Sequence, residues 1–328
     1  MTTFELAVDI GGTFTDVYVR DEGCETAAFK SPTTPDDLSV GLLEAIEKAA
    51  RAHGCSTAEF LSNTSRLVHG TTASTNAILE DKTSKTALLC TEGFRDTLLF
   101  REGGKDDPYD WEVDYPEPYI PRSLTFGISE RITAEGDVRE QLDEAQVREI
   151  IGELRRRDVE AVAVSLLWSH INPEHERRIG ELFAEEWPEV HLSFGHEVNP
   201  TIREYRRTSS TAIDASIHHL VDEYLSTVER KLRDAGFTGS LLMIVANGGV
   251  IGPEELRETP IWTVDSGPTM LPVAALEHVD AELDGPVCRV AAVRRDENPV
   301  VHVKASAGYY VPGRESTRGR SRELVTVA

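Results

Sequence analysis

Eight residues near the start of the chain are of the types that phosphate and metal chemistry require: Asp9-Ile10-Gly11-Gly12-Thr13-Phe14-Thr15-Asp16. Alternation from Phe4 to Ile10 predicts a strand entering this stretch, and Val17 to Arg20 predicts a strand leaving it. A glycine pair between two strands lets backbone N–H groups approach an anion closely. Thr13 and Thr15 add hydroxyl donors for phosphate oxygens, and Asp9 and Asp16 can hold a magnesium ion directly or through water. The stretch reads as a triphosphate loop of the strand–turn–strand kind. It is neither the Gly-Lys-Ser/Thr pattern at a helix start nor Gly-x-Gly-x-x-Gly. The plain alternative is a hairpin with a Gly-Gly turn.

Three further loops end predicted strands. His69-Gly70-Thr71-Thr72 follows Leu67-Val68 and could line a ligand crevice, with the imidazole moving a proton and Thr71 and Thr72 holding phosphate or substrate. His69 is equally readable as a hydrogen-bonded structural residue. Asn247-Gly248-Gly249 could approach a ligand or be a simple turn, and Ser266-Gly267-Pro268 could face an anion or merely start a helix. The pairs His170/His175 and His218/His219 lack the i, i+4 spacing of a helical zinc site, so packing or surface roles are expected.

The elements needed to position these loops alternate. Asp36 or Asp37 caps a helix from Leu38 to Ala52, and a short helix is expected from Ser74 to Leu79. Strands are expected at Thr86–Cys90, Val159–Leu167, Val190–Phe194, Leu241–Ala246 and Ile261–Val264. Helices are expected from Asp143 to Arg157, from about Pro173 to Glu186 and from about Ile202 to Ala235, with a hairpin at Glu130–Glu140. Residues 101–123, rich in Asp, Pro and Tyr, read as an irregular loop. Strand–helix alternation of this kind defines an α/β chain.

Composition narrows the function. The 328 residues carry a net charge of −23, which argues against nucleic-acid binding. Carboxylates abound while Lys is scarce beside Arg, as in a high-salt cytoplasm or a GC-rich genome. No apolar run approaches the roughly 20 residues of a membrane span, and no signal peptide is visible. Four scattered cysteines without Cys-x-x-Cys spacing suit a reducing, cytoplasmic setting.

Taken together, the motifs resemble the ATP-binding, hydantoinase A-like part of the hydantoinase/oxoprolinase family. The resemblance rests on Val8 to Asp16, Val68-His69-Gly70-Thr71-Thr72, Thr91-Glu92-Gly93-Phe94-Arg95-Asp96, Asn172-Pro173-Glu174-His175-Glu176, His196-Glu197-Val198, Glu204-Tyr205-Arg206-Arg207-Thr208-Ser209, Asn247-Gly248-Gly249-Val250 and Ser266-Gly267-Pro268, in order over about residues 4–284. It implies an α/β fold like one lobe of the actin, sugar kinase and Hsp70 ATPases, incomplete here, with mixed sheets flanked by helices. An N-terminal domain would cover 1–195 and the start of the main domain 196–284. It further implies ATP and Mg²⁺, with Asp9 and Asp16 managing the metal and Gly11, Gly12, Thr13 and Thr15 holding phosphates. The implied chemistry is ATP-driven opening of a cyclic amide such as a hydantoin or 5-oxoproline. Phosphorylation of the amide oxygen would overcome amide resonance before water adds at carbon. Some relatives are subunits of ATP-dependent ketone carboxylases, and both readings imply a hetero-oligomer with a second, hydantoinase B-like subunit. Catalytic steps stay unassigned, with His69 and Asp9 as candidates. Ala246 replaces the family's usual serine, and Thr269-Met270 departs from the common Ser-Gly-Pro-Ala-Ala pattern.

After Gly285 the character changes. Residues 285–328 carry a net charge of +4 against −27 for 1–284, with no clear hydrophobic period. The resemblance implies a second Asp-x-Gly-Gly-Thr loop there, and none follows. The expectation is a disordered basic tail produced by a shifted reading frame near residues 284–288; a truncated paralogue, serving as an inactive binding remnant, is the alternative.

Overall fold

Three strands open the chain as a meander: β1 (Phe4–Ile10), β2 (Phe14–Arg20) and β3 (Thr26–Pro32). Their alternation is two-sided. Leu6, Val8, Ile10, Val17 and Val19 are buried on one face, while Asp9 and Tyr18 lie exposed on the other. In this computed structural model residues 3–23, 25–34, 37–103, 109–110, 112–267, 291–293 and 302–304 are described.

Helix α1 (Leu38–Ala52) begins at Asp37, whose side chain accepts the Ser39 N–H, a cap worth about 1 kcal/mol; Asp36 lies outside the described residues. The helix lays Leu42, Ala45, Ile46 and Ala49 on the buried face of the meander. Gly41 permits that approach, because a Cβ there would sit 2.7 Å from the Pro32 carbonyl oxygen. Helix α2 (Thr57–Ser62), strand β4 (Thr64–Thr71) and helix α3 (Ala73–Leu79) follow.

A second sheet is built from β5 (Thr86–Thr91), the short α4 (Thr97–Phe100), β6 (Thr125–Ile128), a two-stranded ribbon of β7 (Arg131–Ile132) and β8 (Val138–Glu140), α5 (Glu144–Arg156), β9 (Ala161–Ser165), α6 (Glu174–Glu186), β10 (His191–Phe194) and the single-turn α7 (Gly195–Val198). Its order is β10-β9-β5-β6, all parallel. Every residue of β5 and β9 is buried, as expected for parallel strands covered on both faces.

The 31-residue helix α8 (Glu204–Asp234) then returns the chain to the first sheet. Its first half packs Ala212 and Ala215 against Leu88, Ala161 and Ala163 of the second sheet. Its second half packs Val228 and Leu232 against the first. Strands β11 (Ser240–Ile244) and β12 (Val250–Ile251), helix α9 (Pro253–Glu258) and a 3₁₀ turn (Pro260–Thr263) complete this part. The first sheet has the order β12-β11-β4-β1-β2-β3, with β11, β4 and β1 parallel and the other strands antiparallel to their neighbours.

Residues Met1–Met270 form one compact unit and Leu271–Ala328 a second. In the second, strands β13 (Ala291–Val293) and β14 (His302–Lys304) pair antiparallel. The rest of the expected basic tail lies outside the described residues, as do Pro268, Thr269 and Met270. Among the described residues no helix is long and apolar enough to cross a membrane.

One local expectation changes, and some short elements carry no signal in the sequence. Ile261–Val264 is not a strand. Burial falls on Pro260, Thr263 and Ser266, a three-residue period that suits the 3₁₀ turn. Strand β3 was not visible, since Thr-Ala-Ala-Phe-Lys-Ser-Pro is poor in β-branched residues and becomes a strand only by pairing with β2. The four-residue β6 beside β5 and the four-residue helices α4 and α7 are too short to show a period in the sequence.

One packed group makes stability depend on pH. Asp214 of α8 is 1 % exposed and accepts hydrogen bonds from the Ser193 hydroxyl (2.7 Å) and the Ile261 N–H (2.9 Å). Burial pushes its pKa up from 3.8 to about 6, against the lowering effect of those two bonds. The folded state thus holds the proton more tightly than the unfolded chain. The contribution is fully present below about pH 4 and is lost as pH rises through about 6. We expect Asp214→Asn to remove a pH-dependent component on the order of 2–3 kcal/mol between those limits, read as the difference between wild-type and variant urea midpoints at pH 4.5 and 6.5.

Candidate functional site

Because β1, β4 and β11 run parallel, their C-terminal ends share one edge of the first sheet. The Gly11–Thr13 turn, the Thr71-Thr72 loop and the Val245–Gly249 turn therefore collect at that edge, the usual place for ligands in α/β sheets. The strand register adds something sharper. Asp9 pairs with Asp16 across the β1–β2 hairpin, with Gly70 on the β4 side, and Asp16 pairs in turn with Lys30 of β3. Gly70, Asp9, Asp16 and Lys30 thus form one row, buried at Gly70 and open to solvent at Asp9 and Lys30, one or two residues short of that edge.

Two carboxylates directly opposite on an antiparallel pair repel each other. Asp9 records this: burial, and then the Asp16 charge, raise its pKa even though the residue keeps an exposed rim. Gly70 leaves the other side of Asp9 open, since a Cβ there would lie 3.6 Å from Asp9 Oδ1 and 3.2 Å from Ile244 Cδ1. This donor set fits a magnesium ion, which takes one or two protein carboxylates and completes its shell with water and phosphate oxygens. Among the described residues no group of three or more His, Cys, Asp or Glu could hold a metal by itself.

The turn between the carboxylates is rigidly braced. Gly11 N–H donates to the Phe14 carbonyl (3.0 Å), Thr33 N–H to the Thr13 carbonyl (2.9 Å), and the Thr33 hydroxyl to the Gly11 carbonyl (2.8 Å). Gly12 and Thr13 lie exposed at its tip. Thr15 does not join them. It is fully buried on the opposite face, with its hydroxyl 3.2 Å from that of Thr33. Since successive strand residues face opposite ways, Asp16 and Thr15 cannot both reach the same ligand through their side chains. Thr15 braces the turn, and Thr13 is the loop hydroxyl left at the surface.

His69 is also turned inward. It is 0 % exposed, its Nε2 is hydrogen-bonded to the Tyr224 hydroxyl of α8, and burial drives its pKa down to about 4 with only partial opposition from the Val8 backbone. The Tyr224 hydroxyl also meets Thr71, and Thr71 accepts the Ala73 N–H (3.2 Å). His69 and Thr71 are therefore neutral groups tying the loop to α8, and the structure does not place the imidazole where it could exchange a proton with a ligand at the edge. Thr72 is half-buried, its hydroxyl 3.3 Å from Asn76 Nδ2. Asn247 folds back to accept the Gly249 N–H (2.9 Å) with Gly248 at φ 82°, a self-contained turn. Asp265 N–H reaches Thr75 (3.2 Å), docking the segment before Ser266 on α3.

Two features went unseen in the sequence. Lys30 was hidden because β3 was hidden; counting back from the Asp21–Glu25 turn would have set it opposite Asp16. The other is a buried polar network at the C-terminal edge of the second sheet. Glu176 (0 % exposed) accepts from Leu166 N–H (2.8 Å), His196 N–H (3.0 Å) and His196 Nδ1 (2.6 Å). Beside it Arg207 donates to the Leu166 and Thr201 carbonyls, and Glu130 binds Thr91 and His175. His175 and His196 thus have packing roles, and His218 stacks on His191 at 3.4 Å. A groove of about 580 Å³ lined by Gln141, Asn172, His175 and Arg178 belongs to this second sheet, and none of residues 9–16 lines it.

The fold is an α/β lobe with mixed sheets flanked by helices, consistent with an actin-like ATPase fold, with a strand–turn–strand hairpin at residues 9–16. Two family models fix its membership: "Hydantoinase/oxoprolinase N-terminal region" matches residues 5–187 and "Hydantoinase/oxoprolinase" matches 207–283. The chain belongs to the hydantoinase/oxoprolinase family. It is 34 % identical over 275 residues to caprolactamase subunit alpha of Pseudomonas jessenii, covering 83 % of this chain and 40 % of the relative. The crystal structure of the ATP-dependent caprolactamase from that organism superposes with a TM-score of 0.78 over 84 % of this chain and 40 % of that one. Acetophenone carboxylase gamma subunit of Aromatoleum aromaticum is 37 % identical over 80 % of this chain and 37 % of its own length. 5-Oxoprolinase of Saccharomyces cerevisiae is 27 % identical over 75 % and 22 %. The chain therefore spans about two fifths or less of the length of these relatives.

Proposed function

We propose that this chain carries the nucleotide-handling part of an ATP-dependent enzyme that opens cyclic amides, such as a lactam, a hydantoin or 5-oxoproline. The single observation that carries the reading is the Gly70–Asp9–Asp16 row beside a braced Gly-Gly turn, two carboxylates set against one lysine ammonium, that of Lys30. In this reading the Gly11–Thr13 backbone and the Thr13 hydroxyl orient the triphosphate, and Asp9 and Asp16 hold Mg²⁺. A bound Mg²⁺ would neutralise charge on the phosphates. The amide oxygen would attack the terminal phosphorus and release ADP. Water would then add at the activated carbon, the ring C–N bond would break with the nitrogen taking a proton to leave an acyl phosphate, and a second water would hydrolyse that to the carboxylate and phosphate. The names of the relatives, which are subunits, support a hetero-oligomer; a hydantoinase B-like second subunit and a cytoplasmic location belong to the same proposal.

A second reading, a subunit of an ATP-dependent ketone carboxylase, draws support from the 37 % identity to the acetophenone carboxylase subunit. One assay separates the two. With the partner subunit present, ADP release should rise with caprolactam, hydantoin or 5-oxoproline and ignore acetophenone with bicarbonate. ADP release that follows ketone and bicarbonate instead would favour the carboxylase. Indifference to every cyclic amide and ketone would sink both.

A further inference from the structure

Lys30 stands at the end of the charged row, with its ammonium 3.2 Å from Asp16 Oδ1 and 4.7 Å above the Phe14 ring. Phe14 is 46 % exposed beside the Gly-Gly turn, so the ammonium lies over its ring at the surface. The Lys30 side chain is itself 55 % exposed, so the ion pair is readily broken and contributes little to folding. Its placement has a different logic. Two carboxylates side by side carry two negative charges, and the single ammonium offsets one of them from the strand furthest from Gly70. A divalent cation bridging Asp9 and Asp16 would offset both and repel the ammonium. Lys30 is two residues from Pro32, where β3 reaches the ligand edge, and its stem is long and flexible. The nearest place for a released ammonium is beside an anion seated on the turn.

We propose that Lys30 is a charge-exchange residue of this site: it neutralises Asp16 while no divalent cation is bound, and turns to a triphosphate oxygen when the cation takes its place. This rests on the reading of Asp9 and Asp16 as a cation–nucleotide site. Lys30 therefore opposes the bare metal and favours the metal–nucleotide complex. That coupling would make the site take up metal and nucleotide together rather than metal alone.

The test is a pair of titrations on the intact chain: Mn²⁺ alone followed by electron paramagnetic resonance, and Mg²⁺ with a fluorescent ATP analogue followed by anisotropy. Lys30→Met, which keeps the stem and removes the charge, is expected to tighten Mn²⁺ about threefold to tenfold and to weaken the nucleotide about tenfold. Lys30→Arg should restore most of both. Affinities that move in the same direction, or that do not move, overturn the charge-exchange role and leave Lys30 a surface residue. A wild-type chain that binds neither Mn²⁺ nor nucleotide overturns the underlying carboxylate reading as well, a failure separable from that of Lys30.

Discussion

Replacing Asp9 by asparagine is expected to weaken the magnesium–nucleotide complex about 10- to 100-fold, the range for losing a charged partner of a bound ligand, while the melting temperature stays the same or rises. The two halves of this expectation have one cause. Asp9 faces Asp16 across the hairpin, and both burial and that neighbour disfavour its ionised form. A group whose pKa is raised by folding stabilises the fold only when protonated, so at neutral pH its charge works against the native state. Asparagine keeps the shape, removes the repulsion and removes the metal ligand. Titration calorimetry with MgATP and a thermal melt of the same sample check both halves. A collapsed melting temperature would make Asp9 a structural residue, and an unchanged affinity would remove it from the site.

Glu176→Ala is expected to have the opposite profile: a loss of about 3–5 kcal/mol of stability, or roughly 10 °C in melting temperature. Glu176 is fully buried and accepts two backbone N–H groups and one imidazole nitrogen, from the end of β9 and from α7. Truncation strands all three donors and leaves Arg207 beside them, 1 % exposed, with Glu204 as the remaining carboxylate acting on its charge. Chemical denaturation reads the loss. A change below about 1 kcal/mol would mean that water or a rearranged α7 replaces the carboxylate. Glutamine at this position should recover part of the stability, since it can still accept.

The sequence carries which loops meet at one sheet edge better than it carries the directions of the side chains on it. The alternation from Phe4 to Ile10 and the capped helix after Asp37 form where their periods place them, and the Val-rich run Val159–Leu167 forms a strand over its middle, Ala161–Ser165. The motif loops also land together, because parallel strands must end on one side. What a motif does not carry is the direction of each side chain. Thr15 and Asp16 are adjacent in the chain yet face opposite sides of the sheet, so only the register separates the brace from the ligand residue. His69 is buried by α8, a helix more than a hundred residues downstream, and nothing near position 69 encodes Tyr224. Lys30 depends on a strand that exists only through pairing. The network around Glu176 joins residues from β9, α6, α7 and α8, a constellation that no linear spacing reveals.

The central claim is that the 9–16 hairpin and the Gly70 loop seat a magnesium–nucleotide. Hydrogen–deuterium exchange of the intact chain, with and without millimolar MgATP, tests it most directly. The account predicts slower exchange at residues 11–16 and 70–72, abolished by EDTA and by Asp9→Asn. Protection confined to the groove beside His175, or no protection anywhere, would contradict it.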